Sequence, residues 1–104
     1  MPQKGYISEY MNGGRIVSHG KITDLSGGFR LGGQLFTLYP RPKEGQEATD
    51  VTLSVRCYQD EGFSEAPFAC NDWSPLAVAE IAPDASGLLD TCDLYWGSGS
   101  YVKP

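Results

Sequence analysis

Alternation of apolar and polar residues predicts β-strands along most of this chain. The clearest run is 51–57, in which Val51, Leu53, Val55 and Cys57 share one face and polar residues occupy the other. A period of two is the signature of a strand with one buried face. The sequence therefore predicts a strand here that packs against a core.

Dipeptides containing glycine separate these runs and predict turns. Asn12-Gly13 and Ser26-Gly27 each lie between short alternating runs, as expected of hairpin turns. At Gly32-Gly33 the apolar positions change from odd to even numbers, which predicts a bulge or a sharp bend. Residues 35–39 follow and are apolar on both faces, so a central strand is predicted there.

The second half of the chain is less regular. Residues 63–73 are predicted to be irregular, 88–96 to form a strand, and the glycine- and serine-rich stretch 97–100 to be flexible. Residues 74–82 fit a strand ended by a turn, and the alternative is a short helix capped by Ser74 with Pro75 at its first position. The strand is favoured because its neighbours are β.

Together these elements predict an all-β fold, a small antiparallel β-sandwich or barrel, with a short helix around 74–82 as the one alternative element. With 104 residues and a mass of 11.3 kDa, the chain is expected to form a single β domain over 1–104. Its 13 glycines and 7 prolines exclude a coiled coil or a helical bundle.

Charge and cysteine usage narrow the possible partners. The net charge is -5 and no cluster of Lys and Arg is present, so we expect no nucleic-acid partner. No run of 18 apolar residues is present, so no membrane partner is expected. The three cysteines, without a Cys-x-x-Cys pair or a signal peptide, predict reduced thiols packed as small hydrophobic residues.

The residues that could carry chemistry do not combine into an active site. The one histidine, His19, is expected in an exposed turn, and the glycine run 27–33 lacks the Gly-Lys-Ser/Thr ending of a phosphate-binding loop. Asp90 and Asp93 fall on opposite faces of the predicted strand and cannot act as an acid–base pair. We therefore expect no enzyme activity, no cofactor and no metal site.

Aromatic residues of the last third are the candidates for binding. Trp73, Tyr95, Trp96 and Tyr101 are the interface candidates, because Trp and Tyr are frequent anchors of protein interfaces. Two alternatives stay open, which are packing in a small core and stacking against a small ligand such as a sugar. Few lysines lie on the predicted strands to block edge pairing, which favours a homo-oligomer or an assembly component.

Aromatic and turn-forming residues recur in two late segments, Phe68-Ala69-Cys70-Asn71-Asp72-Trp73-Ser74-Pro75-Leu76 and Asp93-Leu94-Tyr95-Trp96-Gly97-Ser98-Gly99. Together they resemble small structural virion proteins of tailed phages that infect gut bacteria. The resemblance implies a capsid-decorating or head/tail protein, present in many copies and without an active site. It also implies a protein partner, either further copies or the capsid lattice, and a location in the virion after synthesis in the host cytoplasm.

Two other functions remain as alternatives. A small acidic phage-encoded inhibitor or regulator of a host protein would need its carboxylates focused on one face, whereas those of this chain are spread from Glu9 to Asp93. A carbohydrate- or peptide-binding module would use the late aromatic residues as a stacking platform.

Overall fold

Six strands and one short helix make up the structure, which is a computed structural model and describes residues 15–100. The elements in chain order are β1 (Arg15–Ile22), β2 (Thr37–Pro42), β3 (Val51–Cys57), β4 (Ser64–Phe68), β5 (Val78–Ile81), a 3₁₀ helix (Leu88–Asp90) and β6 (Cys92–Ser100). The predicted hairpin at Asn12-Gly13 lies outside the described residues.

The strands form two antiparallel sheets of three strands each. The first sheet has the order β1-β6-β2 and the second the order β4-β3-β5. The prediction of an all-β antiparallel sandwich is confirmed. The short-helix alternative for 74–82 is wrong, because this segment contains β5.

The core lies between the two sheets. Leu38 and Leu94 enter it from the first sheet, and Leu53, Val55 and Ile81 from the second, each with at most 2% of its surface exposed. Burying such a side chain contributes roughly 1.5–3 kcal/mol, so these alternating positions hold the sheets together. The predicted face of β3 is confirmed at Val51, Leu53 and Val55, while Cys57 is half-buried.

The chain passes from the second sheet to the first at Phe36. The backbones of Phe36 and Val78 exchange hydrogen bonds of 2.9 and 2.8 Å, and β2 of the first sheet begins at the next residue. Phe29 exchanges similar bonds with Ile81, and the rings of Phe29 and Phe36 meet edge to face at 5.3 Å. In the strand order of the first sheet, β2 lies at the edge beside β6. It is therefore not the central strand predicted for 35–39.

Gly32 and Gly33 form a two-residue turn, which confirms the sharp bend of the two predicted alternatives and not the bulge. The N–H of Gln34 donates to the Leu31 carbonyl at 3.0 Å, with φ of 57° and 98° at the two glycines. Two successive left-handed residues match the twist of a tight hairpin and favour glycine strongly. The change of the apolar positions from odd to even numbers therefore coincides with a reversal in the direction of the chain.

The hairpin predicted at Ser26-Gly27 does not form, although a turn does. The N–H of Gly28 donates to the Leu25 carbonyl at 3.0 Å. The flanking residues pair elsewhere, because β1 lies against β6 and Phe29 lies against Ile81. The turn is kept, but long-range pairing that buries apolar faces has overridden the local signal for a hairpin.

Three other boundaries differ from expectation. The segment predicted to be irregular contains β4. This is an edge strand, on which Pro67 is tolerated because its missing N–H leaves no partner unsatisfied on the free edge.

The strand predicted over 88–96 begins only at Cys92, after the 3₁₀ helix. It continues through 97–100, which the sequence predicts to be flexible. β1 pairs with this end of β6 through Ser100 and keeps it extended, whereas β2 pairs with β6 only as far as Gly97.

Candidate functional site

Tyrosines from two neighbouring strands lie side by side on the outer face of the first sheet. Tyr39 of β2 pairs in register with Tyr95 of β6, and their ring centroids are 6.4 Å apart. The adjacent residues Leu38 and Leu94 point to the opposite face and are fully buried in the core. Because side chains alternate along a strand, both tyrosines point away from the core, and both are half-buried.

The segment after β4 runs along the free edge of β2 and closes it. The N–H of Asn71 donates to the Pro40 carbonyl at 2.7 Å, and that of Ser74 donates to the Leu38 carbonyl at 3.0 Å. The buried Thr37 hydroxyl donates to the Ser74 carbonyl. These bonds satisfy the edge of β2 and fix the backbone on both sides of residue 73.

Trp73 is thereby placed on the same outer face as the two tyrosines. Its ring lies 5.1 Å from that of Tyr39. It also covers Gly97 of β6, where a Cβ would lie 2.9 Å from Cζ3 of Trp73 and 3.0 Å from Cδ1 of Ile16. Only a residue without a side chain lets the indole approach the sheet so closely.

Tyr39, Trp73 and Tyr95 together are named here the aromatic cluster. All three are half-buried, so each leaves part of a large apolar ring available at the surface of the described chain. Rings held by strand pairing and by backbone hydrogen bonds lose little conformational freedom on binding, which suits them to be interface anchors.

Cationic side chains border the aromatic cluster and are named here the basic rim: Lys21, Arg41 and Lys43. Lys21 Nζ lies 3.3 Å and Lys43 Nζ 3.8 Å from Oδ1 of Asp93. Arg41 pairs in register with Asp93 and therefore lies on the same face. Asp93 thus forms ion pairs with both lysines and lies beside Arg41 on this face.

This face contrasts in charge with the chain as a whole. The net charge is -5, yet three of the five Lys and Arg side chains that the structure describes belong to the basic rim. The outer face of the first sheet is accordingly a cationic and aromatic surface on an acidic protein, which favours partners that carry carboxylates.

The sequence-predicted binding residues separate into three groups. Trp73 and Tyr95 meet in the aromatic cluster. Trp96 points to the inner face, where it packs against the core, and a Cβ on Gly20 would lie 2.7 Å from its Nε1. Trp96 therefore does not share a surface with Trp73 and Tyr95, which is a correction of its grouping with them. Tyr101 lies outside the described residues.

Tyr39 is the member of the cluster that sequence reasoning missed. The sequence predicts that Tyr39 lies in a strand that is apolar on both faces. This pattern gives no reason to expect Tyr39 near Tyr95. The signal that identifies it is the β2–β6 register, and register depends on long-range pairing that a single sequence does not reveal.

The remaining polar candidates stay apart from one another. His19 is exposed, but it lies in β1 opposite Gly97 rather than in a turn. Within residues 15–100, no group of three or more His, Cys, Asp or Glu side chains is arranged to hold a metal ion. In the same range, no helix is long and apolar enough to cross a membrane.

The three cysteines are free thiols. Burial raises the pKa of Cys57, and the nearby carboxylate of Asp60 raises it further. Burial also raises the pKa of Cys92, with a further contribution from the adjacent Cys70. Raised thiol pKa values keep both groups protonated near neutral pH.

Comparisons with known proteins identify no relative: no family model, no curated protein and no solved structure matches this chain.

Proposed function

We propose that this protein is a structural adhesion protein of a phage virion, and that it assembles by binding a second copy of itself through the aromatic cluster. The cluster supplies apolar anchors, and the basic rim supplies orientation and selectivity. The virion assignment rests on the resemblance of the two late segments, and the mode of binding rests on the outer face of the first sheet.

The observation that supports this proposal best is the packing of Trp73 over Gly97. These residues belong to the two separate segments that carry the resemblance to virion proteins, and the fold brings both segments to one face. Trp73 does not fill the core, because it lies on the outer face of the first sheet. Leu38 and Leu94 already fill the core on the inner face of that sheet. A large ring retained there fits the role of an interface anchor.

Charge complementarity favours a second copy as the occupant. Among the residues that the structure describes, those outside the basic rim include more carboxylates than cations, and one cavity of about 310 Å³ is bordered by Asp24, Asp84 and Asp90. The basic rim of one copy can therefore face the acidic surface of the next. Such a contact joins two different patches, and repeated contacts of this kind build rings or extended arrays. Many equivalent weak contacts then hold each copy in place.

The acidic-inhibitor alternative receives less support. It requires carboxylates concentrated on one face, whereas the described carboxylates occupy separate places. Asp60 and Glu61 follow β3, Glu44 and Glu47 follow β2, and the aspartates of the 310 Å³ cavity lie near the 3₁₀ helix.

The test is absolute mass by light scattering after size exclusion, over a range of protein concentrations. We expect a mass above the 11.3 kDa of one chain that rises with concentration. Tyr95→Ala should shift this rise to at least tenfold higher concentration, as expected when an anchor worth about 2 kcal/mol is lost. Tyr58→Ala is the matched control, because Tyr58 is 48% exposed and lies outside the cluster. A constant mass of 11.3 kDa, or equal effects of the two variants, would contradict the proposal.

A further inference from the structure

A surface cavity lies beside the ends of β3 and β6, apart from the aromatic cluster. Its volume is about 360 Å³, which falls within the roughly 300–1,000 Å³ of small-molecule sites. It is named here the Tyr58 cavity, and its lining residues are Gly33, Gln34, Leu35, Tyr58, Ser98 and Gly99. None of these residues carries a charge, so the cavity fits an uncharged ligand.

The crossing of the chain between the two sheets places Tyr58 at this cavity. The N–H of Tyr58 donates to the Ala77 carbonyl at 2.9 Å. Val78, the next residue, exchanges backbone hydrogen bonds with Phe36. Tyr58 therefore lies near Leu35, which precedes Phe36, and both line the cavity. Because Tyr58 is 48% exposed, its ring offers a wide apolar face to a ligand.

Two polar side chains of the cavity lie within hydrogen-bond reach of each other. The hydroxyl oxygen of the buried Ser98 is 3.4 Å from Oε1 of Gln34 and 3.3 Å from the Leu35 carbonyl oxygen. Since Oε1 of Gln34 faces Ser98, its amide nitrogen Nε2 points elsewhere. This nitrogen has no hydrogen-bond partner among residues 15–100, so its N–H groups can donate to a ligand hydroxyl.

The Tyr58 cavity and the aromatic cluster lie on different sides of the first sheet. Along β6, Leu94 points inward and Tyr95 points outward. Ser98 follows Leu94 by four residues and therefore points inward as well. A ligand in the cavity and a partner on the cluster can thus be bound independently.

We propose that the Tyr58 cavity binds a neutral sugar ring, such as one hexose unit of a glycan. A sugar ring presents an apolar C–H face and several hydroxyls but no charge. The C–H face lies against the ring of Tyr58, and Nε2 of Gln34 donates to a hydroxyl. A phosphate or carboxylate ligand is disfavoured, because no lining residue is a cation. One stacked ring and one amide support a Kd in the millimolar range.

Saturation-transfer NMR tests this proposal, because it detects weak binding of a small ligand to a protein in any state of assembly. The probes are the methyl glycosides of glucose, galactose and N-acetylglucosamine, and glucuronic acid is the charged comparison. We expect saturable transfer to at least one neutral probe, strongest at the protons of one face of the sugar ring. Glucuronic acid should bind more weakly than that probe.

Substitutions at exposed positions locate the bound sugar without loss of the fold. Tyr58→Ala should raise the Kd at least tenfold, whereas Tyr58→Phe should keep the wild-type Kd because the ring is retained. Gln34→Ala should raise the Kd about fivefold, as expected when one hydrogen bond is lost. Phe63→Ala is the matched control and should leave the Kd unchanged, because Phe63 is 45% exposed but does not line the cavity.

Four results would overturn the proposal. These are no saturable transfer to any neutral probe, glucuronic acid that binds as tightly as the neutral probes, a Tyr58→Ala variant that binds like the wild type, or an equal loss in Phe63→Ala. The proposal does not rest on self-association. A monomeric chain that binds the sugar would contradict only the proposed function, and an assembling chain that binds none would contradict only this inference.

Discussion

The ring of Trp73 rests on the backbone of Gly97, at a place where a Cβ would lie only 2.9 Å from its Cζ3 atom. This one contact joins the segment that closes the edge of β2 to the central strand of the first sheet. It places the Trp73 ring of the aromatic cluster against the sheet, and it can be disturbed by adding a single methyl group at Gly97.

Gly97→Ala should displace the Trp73 ring and lower the free energy of unfolding by about 1–3 kcal/mol, the usual cost of overpacking. Urea denaturation followed by tryptophan fluorescence measures this change. Gly62→Ala is the matched control, because its Cβ would meet open space and its φ lies outside the left-handed region. Equal stabilities of the two variants would show that the Trp73 ring does not rest on Gly97.

Substitution of Trp96 and of Trp73 should have different effects on stability and on self-association. Trp96→Ala removes a ring that packs against the core and should destabilise the monomer by about 3 kcal/mol. Trp73→Ala should cost less stability and should abolish association. Thermal unfolding and light scattering on the same samples provide the comparison. If Trp96→Ala instead leaves the monomer stable and abolishes assembly, the assignment of Trp96 to the core is wrong.

The basic rim makes association sensitive to charge. Arg41→Glu should weaken self-association at least tenfold, because it reverses a cation on the face that meets an acidic partner. Arg30→Glu makes the same substitution at an exposed residue outside the rim and should have little effect. Added salt should weaken the wild type as well, since the screening length shortens from about 10 Å at 0.1 M to about 3 Å at 1 M. Salt-independent association would exclude a role for the rim.

Alkaline pH should destabilise the fold through Cys92. Burial raises its pKa in the folded chain above the ordinary value of 9.0, so the unfolded chain releases the proton at a lower pH. The stabilising contribution is complete below 9.0 and is lost as the pH rises through the folded pKa. Unfolding free energies measured on both sides of this range should decline more steeply for the wild type than for Cys92→Ala. Parallel declines would mean that burial does not hold this thiol protonated.

The sequence could predict the sheet class and the strongest strand but not the pairing. Alternation in β3 identifies its buried face because burial on one side imposes a period of two. Turn signals predicted where the chain reverses but not which strands pair beside the turn. Gly32-Gly33 does reverse the chain, whereas the strands expected beside Ser26-Gly27 have partners far away in sequence. Pairing over such distances depends on which apolar faces are buried together, which no local pattern encodes.

The sequence could likewise predict only part of the candidate site. Tryptophan and tyrosine are anchor residues by chemistry, so Trp73 and Tyr95 could be named from the sequence. The inclusion of Tyr39 and the exclusion of Trp96 follow from the register of β2 on β6. The basic rim was hidden for the same reason, since Lys21 and Lys43 are far apart in the chain and meet only at Asp93.

The most direct test of the central claim is the solution mass of wild type and Trp73→Ala, measured by light scattering across the same concentrations. The account predicts a wild-type mass that rises above 11.3 kDa with concentration and a folded Trp73→Ala variant that stays at the monomer mass. A wild type that remains at 11.3 kDa throughout, or a Trp73→Ala variant that assembles equally well, would contradict it.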